Sequence, residues 1–295
     1  MVIRRLLACV VIAGAVGCGR FNNTASTGPA ERAIVISQGY SEIIWALGAE
    51  DVVVGVDYSS TYPPAVQKVT TVGYHRALST EGILSLKPTV IITDGNIGPP
   101  TVVDQLKQLK IPIKTFTAKN NSIDGAKALI REMGAYFHKD AKAEELCAKL
   151  DADMARGLDE AKKYSDHPRV AVIHYGRASN VYMLVGASGD GDSAAAGQMV
   201  RWAGGVMAVE KAGMERMTSP EIVAKANPDV VLMSAFGYDR LDGSKQRIFE
   251  LPGVSTSNAA KNGRIYRVEE HDLMYFGPST GEGLQRIVHL IHEGK

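Results

Sequence analysis

From Ala33 onward, short apolar runs alternate with stretches of helical periodicity. Ala33 to Ile36 reads as a strand, Tyr40 to Leu47 as a helix stopped at Gly48, and Val52 to Val56 as a second strand. A helix over Thr80 to Leu86 precedes a strand at Val90 to Thr93, and a helix over Thr101 to Leu109 precedes a strand at Ile113 to Phe116. The alternation restarts after Pro168, with strands at Arg169 to Ile173, Val230 to Met233 and Ile265 to Val268. Helices are expected at Ala194 to Ala203, closed by Gly204-Gly205, and at Gly281 to His292. Strands alternating with helices predict parallel sheets covered by helices. Ser122 to Lys163 holds no strong strand signal and no Pro, which predicts about 40 residues of helix, bent near Gly134, far beyond the usual length of about 11–12.

The expected fold class is therefore α/β: two Rossmann-like lobes joined by one long backbone helix, with a ligand cleft between them. The N-terminal lobe is expected over 31–121, the connecting helix over 122–165 and the C-terminal lobe over 166–295. A stiff connector resists hinge bending, so little lobe motion is expected on binding.

An internal repeat relates the lobes. Thr80 to Ile92 (TEGILSLKPTVII) parallels Pro220 to Leu232 (PEIVAKANPDVVL). Glu81 and Glu221 each open a short helix that leads through a Pro into a buried strand. A Glu at a helix start is favoured by the macrodipole, so capping is one reading. A symmetric docking surface, with one carboxylate on each lobe, is the other.

The first residues change the class of protein. Arg4 and Arg5 precede an uncharged run from Leu6 to Val16, and Ala15-Val16-Gly17 lead into Cys18. That is the layout of an export signal over 1–17, and it is too short for a bilayer span of about 20 apolar residues. Cys18 after small residues looks like a bacterial lipobox, in which the cysteine is cleaved to the N-terminus and lipid-modified. The other reading is an ordinary secretory signal cut near Gly19. Residues 18–30, rich in small polar side chains, suit a flexible tether.

Composition removes further classes. With 45% hydrophobic and 22% charged side chains in 295 residues, the chain is not intrinsically disordered. The net charge of +1 gives no reason to expect nucleic acid as a partner. Outside the signal only Cys18 and Cys147 remain, so no disulfide framework is expected. Gly186 to Asp190 misses the final Gly of a G-x-S-x-G elbow, there is no P-loop, H-E-x-x-H or C-x-x-C, and an enzyme is not expected. Asp190-Gly191-Asp192 is no EF-hand, because Arg201 stands where the twelfth-position Glu belongs.

Val72 to Pro88 (VGYHRALSTEGILSLKP) carries the most specific signal. With the lipoprotein signal, the two lobes and the long helix, it resembles the substrate-binding proteins of bacterial ABC importers for siderophores, cobalamin and haem. Its Gly-Tyr-x-Arg-x-Leu-Ser-x-Glu-Gly run looks like the haem-binding branch. The resemblance implies haem as the transported ligand and an ABC permease dimer with its ATPase as partner. It also implies a lipid-anchored periplasmic location, monomeric action, and Glu81 and Glu221 pairing with permease arginines.

Tyr74 is then the candidate axial ligand of ferric haem, since iron accepts a phenolate. In an extended segment residues two apart share a face, which would set Arg76 beside Tyr74 to steady the phenolate and turn His75 away. A half-buried Tyr with a surface Arg is the bland alternative. His174 follows the first strand of the second lobe, at the carboxyl end where open α/β sheets place ligands, and is the candidate second ligand. Tyr238, whose Tyr238-Asp239-Arg240 echoes the Tyr-x-Arg spacing, comes next, then His271, Met183 and Met274. A five-coordinate site with Tyr74 alone is also reasonable. The loop Asp94 to Pro100 is a candidate cleft wall or a simple turn. Gly186 to Gly197 and Met214 to Ser219 depart from the pattern of the resembled family. Cobalamin or a siderophore fits the same scaffold, although two Trp and six Phe are few for a cobalamin cleft.

Overall fold

The computed structural model describes residues 31–177, 180–185, 192–211, 216–241 and 244–294. The export signal, the tether and Cys18 lie outside the described residues, as do residues 186–191 and 214–215 of the two stretches that depart from the pattern.

The first lobe is built from β1 (Ala33–Ile36), α1 (Gln38–Leu47), β2 (Val53–Val56), α2 (Thr80–Ser85), β3 (Val90–Thr93), α3 (Pro100–Gln108) and β4 (Ile113–Lys114). Its four strands are parallel in the order β2-β1-β3-β4. β1 and β3 are buried along their whole length, as continuous apolar runs covered on both faces should be. Gly48 ends α1 in the left-handed region, at φ 66°, and its N–H closes onto the carbonyls of Ile44 and Trp45.

The connecting stretch differs from expectation. It is two helices, α4 (Ile123–Tyr136) and α5 (Asp140–Ala161), rather than one bent near Gly134. His138 at φ 57° breaks the run, and the chain folds back on itself. Arg131 meets Glu144 at 2.7 Å and Lys127 meets Asp151 at 2.8 Å, so the two helices pack antiparallel. A Cβ on Gly134 would lie 2.5 Å from that of Ala143, so the missing side chain sets how closely they approach. The 22 residues of α5 alone carry the chain to the second sheet.

The second lobe contains β5 (Arg169–Arg177), β6 (Asn180–Leu184), α6 (Asp192–Trp202), β7 (Val206–Met207), β8 (Arg216–Thr218), α7 (Pro220–Ala226), β9 (Val230–Ser234), α8 (Ala235–Asp239), α9 (Lys245–Phe249), α10 (Asn258–Lys261), β10 (Ile265–Val268) and α11 (Thr280–His292). Its sheet runs β10-β9-β5-β6-β8. The β10, β9 and β5 strands are parallel, whereas β6 and β8 are antiparallel additions at one side. α11 returns to pack along α5, and one buried core runs from Ala33 and Ile43 through Leu150 to Leu232 and Ile291, joining both lobes.

Candidate functional site

Tyr74 is presented by a tight turn. Gly73, at φ 111°, changes the chain direction, and Ala77 N–H donates to Tyr74 O at 2.8 Å. Because residues 74–77 form a turn and not an extended strand, the two-apart argument for Tyr74 and Arg76 does not apply. Tyr74 is 48% exposed, while His75 tucks beneath it, with ring centroids 4.3 Å apart. His75 Nδ1 lies 3.4 Å from the Asp57 carboxylate, which is buried and also accepts from Ser60 Oγ at 2.9 Å. The histidine thus anchors the turn and leaves the phenol outermost. Arg76 is exposed and donates from Nε to Asn96 Oδ1 at 3.1 Å rather than to Tyr74.

Asp94 to Pro100 is bound to this turn. Gly98 N–H donates to His75 O at 2.8 Å, and Leu78 N–H donates to Gly98 O at 3.1 Å. Asp94 fixes the loop's start, accepting from Asn96 N at 2.8 Å and from Ser37 Oγ at 2.9 Å. The two loops therefore form one surface at the carboxyl edge of the first sheet.

On the second lobe, His174 sits at a break in register between β5 and β6, a place where bulges re-aim side chains. It is half-buried. Ser234 Oγ donates its only proton to His174 O at 2.8 Å, so the 3.1 Å contact between Ser234 Oγ and His174 Nδ1 must have the imidazole as donor. In the neutral ring this tautomer places the lone pair on Nε2, the atom through which an imidazole of this tautomer ligates a metal. Gly237 is required here, since a Cβ would come 2.3 Å from His174 O.

Phe236, at the start of α8, is 42% exposed and lies against the His174 ring at 5.3 Å and 10°. The Arg240 guanidinium stands 4.0 Å from the Phe236 ring centre. Tyr238 instead packs on the second-lobe core, and Asp239 holds Arg267 through two bonds of 2.9 Å. The echoed Tyr-x-Arg spacing therefore does not present Tyr238 and Arg240 together.

The other runners-up are turned inward. Met183 and Met274 belong to the buried core. His271 is buried and stacks on Tyr62 at 3.6 Å, with its pKa lowered by burial. Tyr62 follows β2 and His271 follows β10, so the carboxyl edges of the two sheets meet at this stack. A cavity of about 320 Å³ opens beside it, lined by Tyr62, Arg267, Glu269, His271, Asp272 and Arg286, but each arginine is paired with a carboxylate.

Glu81 and Glu221 are exposed in the first turns of α2 and α7. The α2 cap is made by Ser79, which accepts from Gly82 N at 3.0 Å, so Glu81 is not needed for capping. Glu221 accepts from Ser219 Oγ at 3.0 Å.

Phe236 and Tyr58 (69% exposed) were not singled out by the sequence. The rule that ligands gather beyond strand carboxyl ends reaches both, because they follow β9 and β2 closely.

Residues 34–271 match the family described as periplasmic binding protein. The chain is 28% identical to an uncharacterized ABC transporter substrate-binding lipoprotein, YvrC, of Bacillus subtilis, over 85% of this chain and 77% of that one. A vitamin B12-binding protein of Pectobacterium carotovorum is 27% identical over 45% of this chain and about half of its own length (48%). Among solved structures, the periplasmic haem-binding protein RhuT of Roseiflexus sp. RS-1 superposes with a TM-score of 0.79 at 32% identity, covering 90% of this chain and 99% of that one. The haem-binding protein HutB of Vibrio cholerae gives 0.71 at 25%, covering 88% and 99%. Two α/β lobes, an aromatic turn at one carboxyl edge and this family match lead to one conclusion: the chain belongs to the periplasmic binding protein family, as a substrate-binding component of ABC import and not an enzyme.

Proposed function

We propose that this protein captures ferric haem between its lobes and delivers it to an ABC permease. The observation that carries this reading is Tyr74, a phenol held outermost on a turn that His75, Asp57 and the Asp94–Pro100 loop fix from behind. A phenolate is a natural axial ligand for ferric iron, and a phenol needs a cation or metal to ionise at neutral pH. Tyr74 ligates the iron, and Arg76, tethered to Asn96, adds positive charge at the same edge. His174 supplies the second ligand through Nε2 from the opposite lobe. The likeness to haem-binding RhuT and HutB supports haem as the cargo.

Glu81 and Glu221 are the docking carboxylates, one per lobe, for arginines of the two permease subunits; such contacts orient association more than they strengthen it. Cys18 is the lipid-modified residue that holds the protein to the membrane, and YvrC, named a lipoprotein, supports that assignment.

Ferric haem added to the purified protein should give a shifted Soret band with a tyrosinate-type charge-transfer feature, and Tyr74→Ala should abolish the feature. An unchanged spectrum in that variant removes Tyr74 as ligand. The vitamin B12-binding relatives support a second reading, cobalamin in the same cleft. Saturable cobalamin binding with no haem spectrum would replace the first reading with the second.

A further inference from the structure

The ring of Phe236 has no role in ligating iron, yet its setting is unusually specific. Its backbone N–H is pinned by Glu270 Oε1 at 2.8 Å, and Glu270 is itself buried. Ser234, which orients His174, also caps the helix that begins with Ala235 and Phe236. One face-to-face neighbour is the His174 imidazole, 5.3 Å away and only 10° from parallel. The Arg240 guanidinium, itself exposed, lies 4.0 Å from the ring centre. The imidazole and the guanidinium thus each lie against the phenyl ring at the carboxyl edge of the second sheet, and the phenyl group still leaves 42% of its surface to solvent. Water exposure of so large an apolar ring is unfavourable, and a bound flat ligand would relieve it.

We propose that Phe236 is a ligand-contacting and positioning residue: its ring takes the edge or face of a flat conjugated macrocycle while holding His174 toward the metal and Arg240 toward the ligand's carboxylates. This rests on the haem reading above and extends it. The cluster selects a planar anionic tetrapyrrole by two separate features. The aromatic surface recognises the macrocycle whether or not it contains iron. The cation held over the ring recognises negative charge at the macrocycle's rim.

The test uses the full chain and three ligands: ferric haem, metal-free protoporphyrin IX, and the dimethyl ester of protoporphyrin IX. Phe236→Ala should weaken metal-free protoporphyrin IX by roughly tenfold, the size expected of one lost aromatic contact, and haem by at least that factor, because His174 is then also less well held. Phe236→Tyr should bind within about twofold of the parent, since its ring keeps the same π-surface. The parent should prefer the free acid over the dimethyl ester, and both Phe236→Ala and Arg240→Ala should lose that preference, which a purely structural role for Phe236 would not produce. Should Phe236→Ala melt early, Phe236→Leu keeps an apolar bulk of similar size without the ring and should show the same loss. Unchanged affinity for both porphyrins in a folded Phe236 variant overturns the proposal alone. A parent protein that takes up neither porphyrin overturns the haem reading and this proposal with it.

Discussion

Glu42 of α1 accepts a hydrogen bond from the backbone N–H of Ser279 at 2.9 Å, joining the first lobe to the segment that leads into α11. The carboxyl is 3% exposed, and its second oxygen is buried without a partner, as are Tyr275 Oη and Ser279 Oγ. Burial raises its pKa to about 7, opposed by the bond from the Ser279 backbone N–H and aided by nearby Asp272. An unfolded Glu titrates near 4.3, so between these values the folded state holds a proton that the unfolded chain has lost. Stability from this group is therefore complete at low pH and falls as pH rises towards and through 7, by up to about 3–4 kcal/mol. Glu42→Gln keeps an oxygen for Ser279 and gains donors for the orphaned hydroxyls. Its melting temperature should exceed that of the parent at pH 8, and the gap should close towards pH 5. A constant gap across that range would sink the argument.

Gly281 sets the contact between α11 and α5. A Cβ there would lie 2.4 Å from Asp153 Cβ and 2.6 Å from the Asp153 carbonyl carbon, and backbone cannot swing aside as a flexible side chain can. Helix propensity alone favours Ala over Gly by about 1 kcal/mol. Overpacking costs about 1–3 kcal/mol and should win. Gly281→Ala is thus expected to lower the urea midpoint, and a variant as stable as the parent would show that α5 and α11 can separate cheaply.

Much of the fold was legible because β1, β3 and β9 are near-continuous apolar runs, each followed by a helix. The break between α4 and α5 was not, since no Pro or Gly marks residues 137–139. It is set by packing, where Gly134 meets Ala143 and Arg131 meets Glu144. The short strands β6, β7 and β8 were missed for a related reason: their pairing partners, not their own sequence, make them strands. At the candidate site, Tyr74 and His174 are the candidates that motif and strand end offer. The turn that aims Tyr74 could not be read from either, because its bond from Gly98 to His75 spans two loops. Phe236 carries no motif at all and stands out only once its neighbours are known.

Ser234 links helix capping to the candidate iron ligand, so its loss should have two separable effects. Ser234→Ala removes the cap of α8, accepted from Gly237 N at 3.4 Å, which costs about 1 kcal/mol at most sites. It also removes the partner that keeps the proton on His174 Nδ1. Calorimetry should show a modest loss of melting temperature. With haem bound, the spectrum should shift towards the five-coordinate high-spin form given by His174→Ala. A Ser234→Ala spectrum identical to the parent's, alongside a changed His174→Ala spectrum, would show that the tautomer is set elsewhere.

Charge reversal at Glu81 and Glu221 separates docking from binding. Both carboxylates are exposed on the first turns of their helices, and Ser79 already caps α2. Reversing either to Lys opposes the helix dipole, which costs about 0.3–1 kcal/mol at an exposed site. That is too little to unfold a domain, and neither carboxylate takes part in the hydrogen bonds that hold Tyr74 or His174: Glu81 is exposed in the first turn of α2, and Glu221 accepts from Ser219 Oγ. The double variant should therefore keep the parent haem spectrum and affinity. Against a permease with matching arginines it would place like charges at two contacts, and uptake in cells should fall at least about tenfold, since each contact needs to contribute only about 0.7 kcal/mol to reach that factor. Each single reversal should fall in between. Reversing the facing permease arginines to Glu should restore uptake with the double variant, a rescue that general instability could not give. Unimpaired uptake in the unrescued double variant would remove these two carboxylates from the docking surface.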